Sequence, residues 1–168
     1  MAFIDSVKEA LPDYAKDAKL NLDAVLLRST LNADEAMGCA VAALAATGNG
    51  KLLSVLLADA PVEANPAMTA ASLMAQNNVW YPYVEMAEDE SLKGLPAQLR
   101  MNAIATHGGT TKERFEAYSL AASIVGKCHF CVKAHYDGLK KMGYNVEQLR
   151  DIGRIAAVMN SVAKVLNS

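Results

Sequence analysis

Apolar residues along the chain fall in short alanine- and leucine-rich stretches, such as AVAALAATG and LLSVLLADA, which Gly, Asn or Asp interrupts. Strand signals are scarce. The best candidate, NVWYPYVEM, contains Pro82, and a central strand does not tolerate proline. The pattern predicts helices near residues 3–10, 14–28, 33–47, 50–59, 66–79, 96–105, 111–126, 128–142 and 146–166. The predicted fold class is all-α.

Candidate helix-capping residues lie at the ends of several of these segments. Three pairs have the spacing of an N-cap residue and its N3 partner: Asn32 with Glu35, Thr110 with Glu113, and Asn145 with Gln148. Asn65 followed by Pro66 has the pattern of an N-cap with proline at the first helical position. Gly143 follows LKKM, where a glycine that ends a helix is expected.

A weak internal similarity suggests two related halves. DEAMGCAVAALAATGN (34–49) resembles FEAYSLAASIVGKCHF (115–130) when Glu35 is aligned with Glu116. We therefore predict one domain, 1–168, with half-repeats at about 30–90 and 110–168, of which the second carries the CxxC site. The alternative is that alanine-rich helices resemble one another through composition alone.

Composition narrows the class of protein. The chain has 168 residues, of which 52% are hydrophobic and 20% charged, with a formal net charge of −2. One domain with a generous core is expected, and neither a nucleic-acid partner nor a polybasic membrane patch is indicated. The apolar stretches are too short to span a bilayer, and the N-terminus lacks the apolar region of a signal peptide. The expected location is the cytoplasm.

The segment GKCHFCVKAHYDG (126–138) concentrates the reactive side chains. Cys128 is predicted to open a helix, where unpaired N–H groups and the helix dipole favour a thiolate. Cysteines of CxxC motifs in such settings have pKa values lowered to roughly 3.5–7.5. Cys131 lies three residues further on the same helical face, within bonding reach of Cys128.

A base and a group to orient it are also available. His135 follows Cys131 by four residues, one turn along, and can take its proton directly or through a water. Glu116 lies on the preceding helix, and it can orient His135 if the two helices pack as a hairpin. Nucleophile, base and orienting carboxylate together have the form of a catalytic site.

Other interpretations of these residues remain open. Cys128, Cys131 and His135 could bind zinc with Glu116 or His129 as a fourth ligand, although no second CxxC or histidine pair is present. A purely structural pair of buried thiols is another alternative. Two kinds of residue are predicted to belong to the core: Cys39, and the scattered methionines, Met74 among them.

These residues resemble the motif of the alkylhydroperoxidase D (AhpD) family, within the carboxymuconolactone decarboxylase-like superfamily. The resemblance includes Glu116, the Cys128–Cys131 pair and His135, and extends to LPDYAKDAKLNL (11–22), MAQNNVWY (74–81) and LRMNAIA (99–105). It implies a helical fold of two related halves and homo-oligomers, commonly trimers. It also implies peroxidase activity on alkyl hydroperoxides and re-reduction of the peroxiredoxin AhpC.

The resemblance implies a reductant and roles for the site residues. No tightly bound cofactor is expected; electrons would come from dihydrolipoamide on a lipoyl protein such as dihydrolipoamide succinyltransferase. Cys131 would attack the peroxide and become a sulfenic acid. Cys128 would be the more exposed resolving residue and a proton donor, and His135 and Glu116 would form the proton relay. Family members carry histidine where this chain has Phe130, so His129 is only a secondary site residue.

Three alternative functions follow from the same residues. The protein could be a disulfide reductase for a partner peroxiredoxin, with little peroxidase activity of its own. It could be a ring-opening or decarboxylating enzyme of the wider superfamily, although those are not expected to need a CxxC pair. It could also be a zinc-stabilised interaction module.

Overall fold

The computed structural model describes residues 1–60 and 62–167, and within them the chain is helical without a strand, which confirms the all-α class. The helices are α1 (Ala2–Ala10), α2 (Lys16–Leu26), α3 (Ala33–Thr47), α4 (Gly50–Asp59), α5 (Ala64–Ala87), α6 (Glu90–Lys93), α7 (Lys112–Gly126), α8 (His129–Lys141) and α9 (Val146–Val165). Two 3₁₀ segments, Asp13–Ala15 and Asn102–Gly109, complete the described elements.

Helix α3 forms the centre of the core and packs against α5, α7 and α9. Every residue from 35 to 44 is buried, so the helix has no solvent-facing side over this stretch. Alanine is its commonest residue, and its one glycine allows a close approach of α7: a Cβ added at Gly38 would lie 2.3 Å from the Tyr118 ring. None of the described helices is both long and apolar enough to cross a membrane.

Several predicted helix ends are confirmed. The Asn32 side chain caps α3 by accepting from the backbone N–H of Glu35 at 2.9 Å. Asn145 and Gln148 form a complete capping box at the start of α9. Gly143 follows α8 with a φ of +98°, a left-handed conformation that glycine adopts without strain.

Two predicted caps are wrong. Helix α7 is capped by Thr111, whose hydroxyl accepts from Arg114, and not by Thr110, because adjacent threonines offer the same capping group. Helix α5 begins at Ala64 with Glu63 as its N-cap. The Asn65 side chain instead donates to the carbonyl of Gly108 at 3.1 Å, so it ties α5 to the second 3₁₀ segment.

Two predicted helices have different bounds. The helix expected over 66–79 continues through Pro82 to Ala87, although proline removes one backbone hydrogen bond. The helix expected over 96–105 does not form at 96–101, and Asn102–Gly109 is a kinked 3₁₀ segment. Gln98, within this stretch, has a φ of +53°, a left-handed conformation that a right-handed helix does not contain.

The segments α3–α4 and α7–α8 share the same order of local features. Each begins with a helix of 15 residues that ends in a left-handed residue, and the next residue caps the following helix with its side chain. These residues are Gly48 and Asn49 after α3, and Lys127 and Cys128 after α7. The helix bounds pair Met37, not Glu35, with Glu116. Half-repeats at 30–90 and 110–168 stay a prediction.

Candidate active site

The two cysteines lie at the start of α8, as predicted. Lys127 adopts a left-handed conformation, φ +56°, that ends α7 and turns the chain directly into α8. Cys128 is the N-cap of α8, and its sulfur accepts from the backbone N–H of Cys131 at 3.2 Å. The two sulfurs are 2.10 Å apart, in a disulfide bond. The site is therefore seen in its oxidised state.

Both cysteines are buried, Cys128 at 0% and Cys131 at 3% exposure. The expectation that Cys128 is the more exposed of the two is wrong for this chain in its oxidised state. A sulfur that caps a helix points back over the first turn, and here it also meets α5, whose Asn77 carbonyl oxygen lies 3.8 Å away. Access to the sulfurs is restricted by α5 on one side.

His135 and Glu116 form the second part of the site. The hairpin of α7 and α8 brings the Glu116 Oε2 atom to 2.7 Å from His135 Nδ1, in agreement with the predicted packing. The His135 and Glu116 side chains are 16% and 23% exposed, so their interaction is only partly screened by water. Glu116 thus fixes the orientation of the imidazole ring.

The other ring nitrogen of His135 faces a residue that the sequence did not single out. Its Nε2 atom lies 3.1 Å from the thioether sulfur of Met74 on α5. His135 makes no hydrogen bond with Cys128 or Cys131 in this state. Met74 is 1% exposed and belongs to the core, as predicted, but it also borders the site.

The residues between the cysteines contact the C-terminal part of α5. His129 is 82% exposed, and its Nδ1 atom lies 3.3 Å from Glu85. Phe130 stacks on Tyr81 with ring centroids 4.2 Å apart. His129 makes no hydrogen bond with either sulfur, so its place among the site residues stays a prediction.

Two open depressions flank α8 on opposite faces. One adjoins the disulfide and is lined by Lys127, Cys128, His129, Val132, Lys133 and Tyr136. The other exposes the histidine–glutamate pair and is lined by Lys112, Glu116, Ala134, His135, Gly138, Lys141 and Met142. Cys128 and the His135–Glu116 pair therefore border separate openings to solvent.

The arrangement does not resemble a zinc site. Cys128 and Cys131 are bonded to each other, and the His135 ring is turned to Glu116 and Met74. Within residues 1–60 and 62–167, no group of three or more His, Cys, Asp or Glu side chains could hold a metal ion.

A second polar cluster is buried between α3, α7 and α5. The Tyr118 hydroxyl donates to Glu63 at 2.6 Å, and Arg114 pairs with the same carboxylate at 2.5 Å. Burial raises the pKa of Glu35, which accepts from the Tyr144 hydroxyl. Cys39 is fully buried nearby, as predicted, and burial raises the pKa of its thiol well above the usual value. Cys39 is thus held as an unreactive thiol.

Fold and site together define an all-α protein whose CxxC pair forms a disulfide at the start of a helix. The family model described as "Carboxymuconolactone decarboxylase family" matches residues 91–168. The chain is 40% identical over 170 residues to the alkyl hydroperoxide reductase AhpD of Coxiella burnetii (strain RSA 493 / Nine Mile phase I), and the match covers 96% of each protein. It therefore belongs to the AhpD family of alkyl hydroperoxide reductases.

Relatives from other bacteria give the same result. The alkyl hydroperoxide reductase AhpD of Anaeromyxobacter sp. (strain K) is 41% identical over 168 residues, covering 97% of this chain and 90% of the relative. That of Rhodospirillum centenum is 40% identical over 170 residues, covering 98% and 91%. The similarity extends over both the cysteine-bearing part of the chain and the part before it.

Proposed function

We propose that this protein is a cytoplasmic thiol peroxidase that reduces alkyl hydroperoxides through a dithiol–disulfide cycle of Cys128 and Cys131. The observation that carries the proposal is the disulfide at the start of α8, with the His135–Glu116 pair on the same helix hairpin. Its substrate class is supported by relatives named alkyl hydroperoxide reductase that match nearly the whole chain.

The oxidising half of the cycle begins at Cys131. His135, oriented by Glu116, takes the thiol proton, and the Cys131 thiolate attacks the terminal oxygen of the peroxide. The O–O bond breaks, an S–O bond forms, and the leaving alkoxide takes a proton to become the alcohol. The Cys128 sulfur then attacks the sulfenic acid, which forms the disulfide and releases water.

The reducing half needs an external dithiol. A dihydrolipoyl group on a lipoyl protein such as dihydrolipoamide succinyltransferase supplies two thiols on one flexible arm. One of its thiolates attacks the disulfide, and its second thiol resolves the mixed disulfide to give lipoamide and the reduced cysteine pair. The start of α8 favours this outcome, because the Cys131 N–H and the helix dipole stabilise a thiolate on Cys128.

The direct test is NADH consumption with lipoamide, lipoamide dehydrogenase and an organic hydroperoxide. We expect Cys131→Ser to abolish turnover. Cys128→Ser should convert about one equivalent of peroxide per chain and then stop, because its sulfenic acid cannot be resolved. Cys39→Ala is the matched control for loss of a cysteine and should keep wild-type turnover. Full activity of Cys131→Ser would refute the assignment.

The peroxiredoxin AhpC is the proposed protein partner. The same assay is run with hydroperoxide in the presence and in the absence of AhpC. The comparison separates direct peroxidase activity from reduction of the AhpC disulfide. If hydroperoxide is consumed only when AhpC is present, the protein is a disulfide reductase for that peroxiredoxin, and the peroxidase part of the proposal fails.

We further propose that the working protein is a homo-oligomer, a trimer. The support comes from three apolar residues at helical spacing on α5, Val79, Tyr83 and Met86, which are 71%, 51% and 75% exposed. A contiguous exposed apolar stripe of this kind marks an interaction surface. Leu95, in the segment after α6, is another exposed apolar residue, at 63%.

A further inference from the structure

The His135 ring is held between two hydrogen-bond acceptors. Its Nδ1 atom lies 2.7 Å from Glu116 Oε2, and its Nε2 atom lies 3.1 Å from Met74 Sδ. A thioether sulfur has no hydrogen to donate, so the contact with Met74 is a hydrogen bond only when Nε2 carries a hydrogen. Met74 therefore selects a particular hydrogen arrangement on the ring.

Counting hydrogens gives the protonation of the pair. An ionised carboxylate is also only an acceptor, so the Nδ1–Oε2 contact needs a hydrogen of its own. Two contacts thus hold two hydrogens, one on Nε2 and one between Nδ1 and Oε2. A neutral imidazole beside an ionised Glu116 supplies only one hydrogen, so both contacts are hydrogen bonds only when the pair holds one more proton.

We propose that Met74 is a positioning residue that keeps the His135–Glu116 pair loaded with this proton while the cysteines are oxidised. In this state His135 has no free lone pair and serves as a proton donor. The role builds on the proposed function. When a thiolate of the dithiol attacks Cys131, a mixed disulfide forms, the Cys128–Cys131 bond breaks, and Cys128 leaves as the thiolate that the start of α8 stabilises. The second thiol of the dithiol then resolves the mixed disulfide, and Cys131 leaves as a thiolate that takes the proton held by the pair.

Charged residues face the His135 ring from α7 and α8, whereas α5 contributes the uncharged Met74 side chain. From α7 the ring faces Glu116, with Lys112 on the rim of the same depression, and α8 itself contributes Lys141 there. Helix α5 carries no charged residue before Glu85, which contacts His129 instead. The Met74 sulfur also lies 4.0 Å from the Asn77 amide nitrogen, a second donor that holds it in place.

The test is ¹⁵N NMR of histidine-labelled oxidised protein at pH 7, followed by a pH series. The chain has three histidines, so their signals can be assigned by substitution. Wild type should show His135 with both nitrogens protonated. Met74→Leu keeps a similar volume and removes the acceptor. It should lower the doubly protonated fraction about tenfold, the factor expected for one hydrogen bond from a charged donor.

Two further variants separate positioning from packing. Met68→Leu changes a partly buried methionine on the same helix and should leave the His135 signals unchanged. Met74→Gln restores an acceptor and should restore the Nε2–H signal. In rapid-mixing kinetics, Met74→Leu should slow disulfide reduction by dihydrolipoamide and shift its pH profile.

Wild-type His135 signals in the folded Met74→Leu protein would overturn the proposal. The NMR measurement uses the resting oxidised chain and needs no turnover, so its outcome is independent of the peroxidase assay. If the wild type has no peroxidase activity, the proposed function is refuted, and the NMR comparison of wild type with Met74→Leu still tests the role of Met74.

Discussion

Tyr118 illustrates how a single buried hydroxyl supports the core beside the site. Its side chain is fully buried, and its hydroxyl donates to the carboxylate of Glu63, which is itself buried at 4% exposure. Gly38 leaves the space that the ring occupies, because any side chain there would overlap it. The hydroxyl–carboxylate contact links α7 to the N-cap residue of α5.

Tyr118→Phe should lower the free energy of unfolding by about 1–3 kcal/mol, because it leaves a buried carboxylate oxygen without its donor. Urea denaturation measures the change. Tyr136→Phe is the matched control: this tyrosine is half-buried on α8 and has no hydrogen bond among the described residues, so its loss should change stability by less than about 0.5 kcal/mol. Equal effects in the two variants would contradict the role of Glu63 as acceptor.

Asp151 gives the residue-scale prediction for pH. Burial alone raises the pKa of Asp151, but hydrogen bonds from Thr30 and Arg154 outweigh it and lower the pKa to about 2 from the usual 3.8. A carboxyl group with a lowered pKa in the folded state stabilises the fold above its unfolded pKa. That contribution is lost as the pH falls from about 4 to about 2.

Asp151→Asn should therefore cost about 2 kcal/mol at neutral pH, and the gap to wild type should narrow below pH 4. Thermal or urea unfolding at a series of pH values measures it. Asp17→Asn, at an exposed aspartate in the first turn of α2, should cost less than about 1 kcal/mol, clearly less than Asp151→Asn. A difference that stays constant down to pH 2 would show that the charge of Asp151 is not the cause.

At the scale of elements, the ends of α3 and α7 form a matched pair. Both end in a left-handed residue, Gly48 in one and Lys127 in the other, with φ values of +79° and +56°. A residue with a Cβ pays about 1 kcal/mol for this conformation, and glycine does not. The left-handed conformation at the end of α7 therefore costs conformational free energy, and the one at the end of α3 does not.

Lys127→Gly should raise the free energy of unfolding by about 0.5–1 kcal/mol, and Gly48→Lys should lower it by a similar amount. A Cβ at Gly48 would meet nothing within 4 Å, so the second change tests the backbone alone. Denaturant titration of both variants gives the comparison. Changes of the same sign in both would show that side-chain contacts, not backbone conformation, decide stability here.

The elements that sequence patterns predicted well are those with local determinants. Asn32 and Asn145 cap helices through residues three positions away, so their role is visible in the sequence. The end of α5 is different. Its last turns run past Pro82 beside α8, where Tyr81 stacks on Phe130 and Glu85 meets His129. Contacts between residues almost 50 positions apart leave no short pattern.

The same distinction applies to the site. The N-cap and first two turns of α8 contain Cys128, Cys131 and His135, so their spacing in the sequence was enough to select them. Glu116 was selected because α7 and α8 were expected to pack as a hairpin. Met74 is 61 positions from His135. Nothing in an apolar helix with scattered methionines distinguishes one that contacts a histidine from one that fills a gap.

For the whole molecule, the exposed stripe on α5 predicts assembly. Light scattering should give a mass of three 17.9 kDa chains for the wild type. The double variant Val79→Lys/Met86→Lys should reduce this to a single chain, because it places charges on the apolar interaction surface. Both side chains are exposed in the isolated chain, so the substitution leaves the core of the monomer intact.

The double variant Leu20→Lys/Leu27→Lys is the control for this experiment. It adds the same charge at leucines of the α2 region that are 58% and 57% exposed, away from the α5 stripe. It should remain a trimer. A wild type that runs as a monomer would refute the proposed assembly, and a trimer that survives the α5 charges would place the interface elsewhere.

The caps that follow α3 and α7 have a consequence for the site. Asn49 caps α4 by accepting from the N–H of Leu52 at 3.0 Å, and Cys128 does the same for α8 with the N–H of Cys131. Asparagine and cysteine thus perform the same structural task, each after a helix of 15 residues. The sulfur of the proposed redox pair thus also closes the first turn of α8, so replacing Cys128 removes a helix cap as well as a thiol.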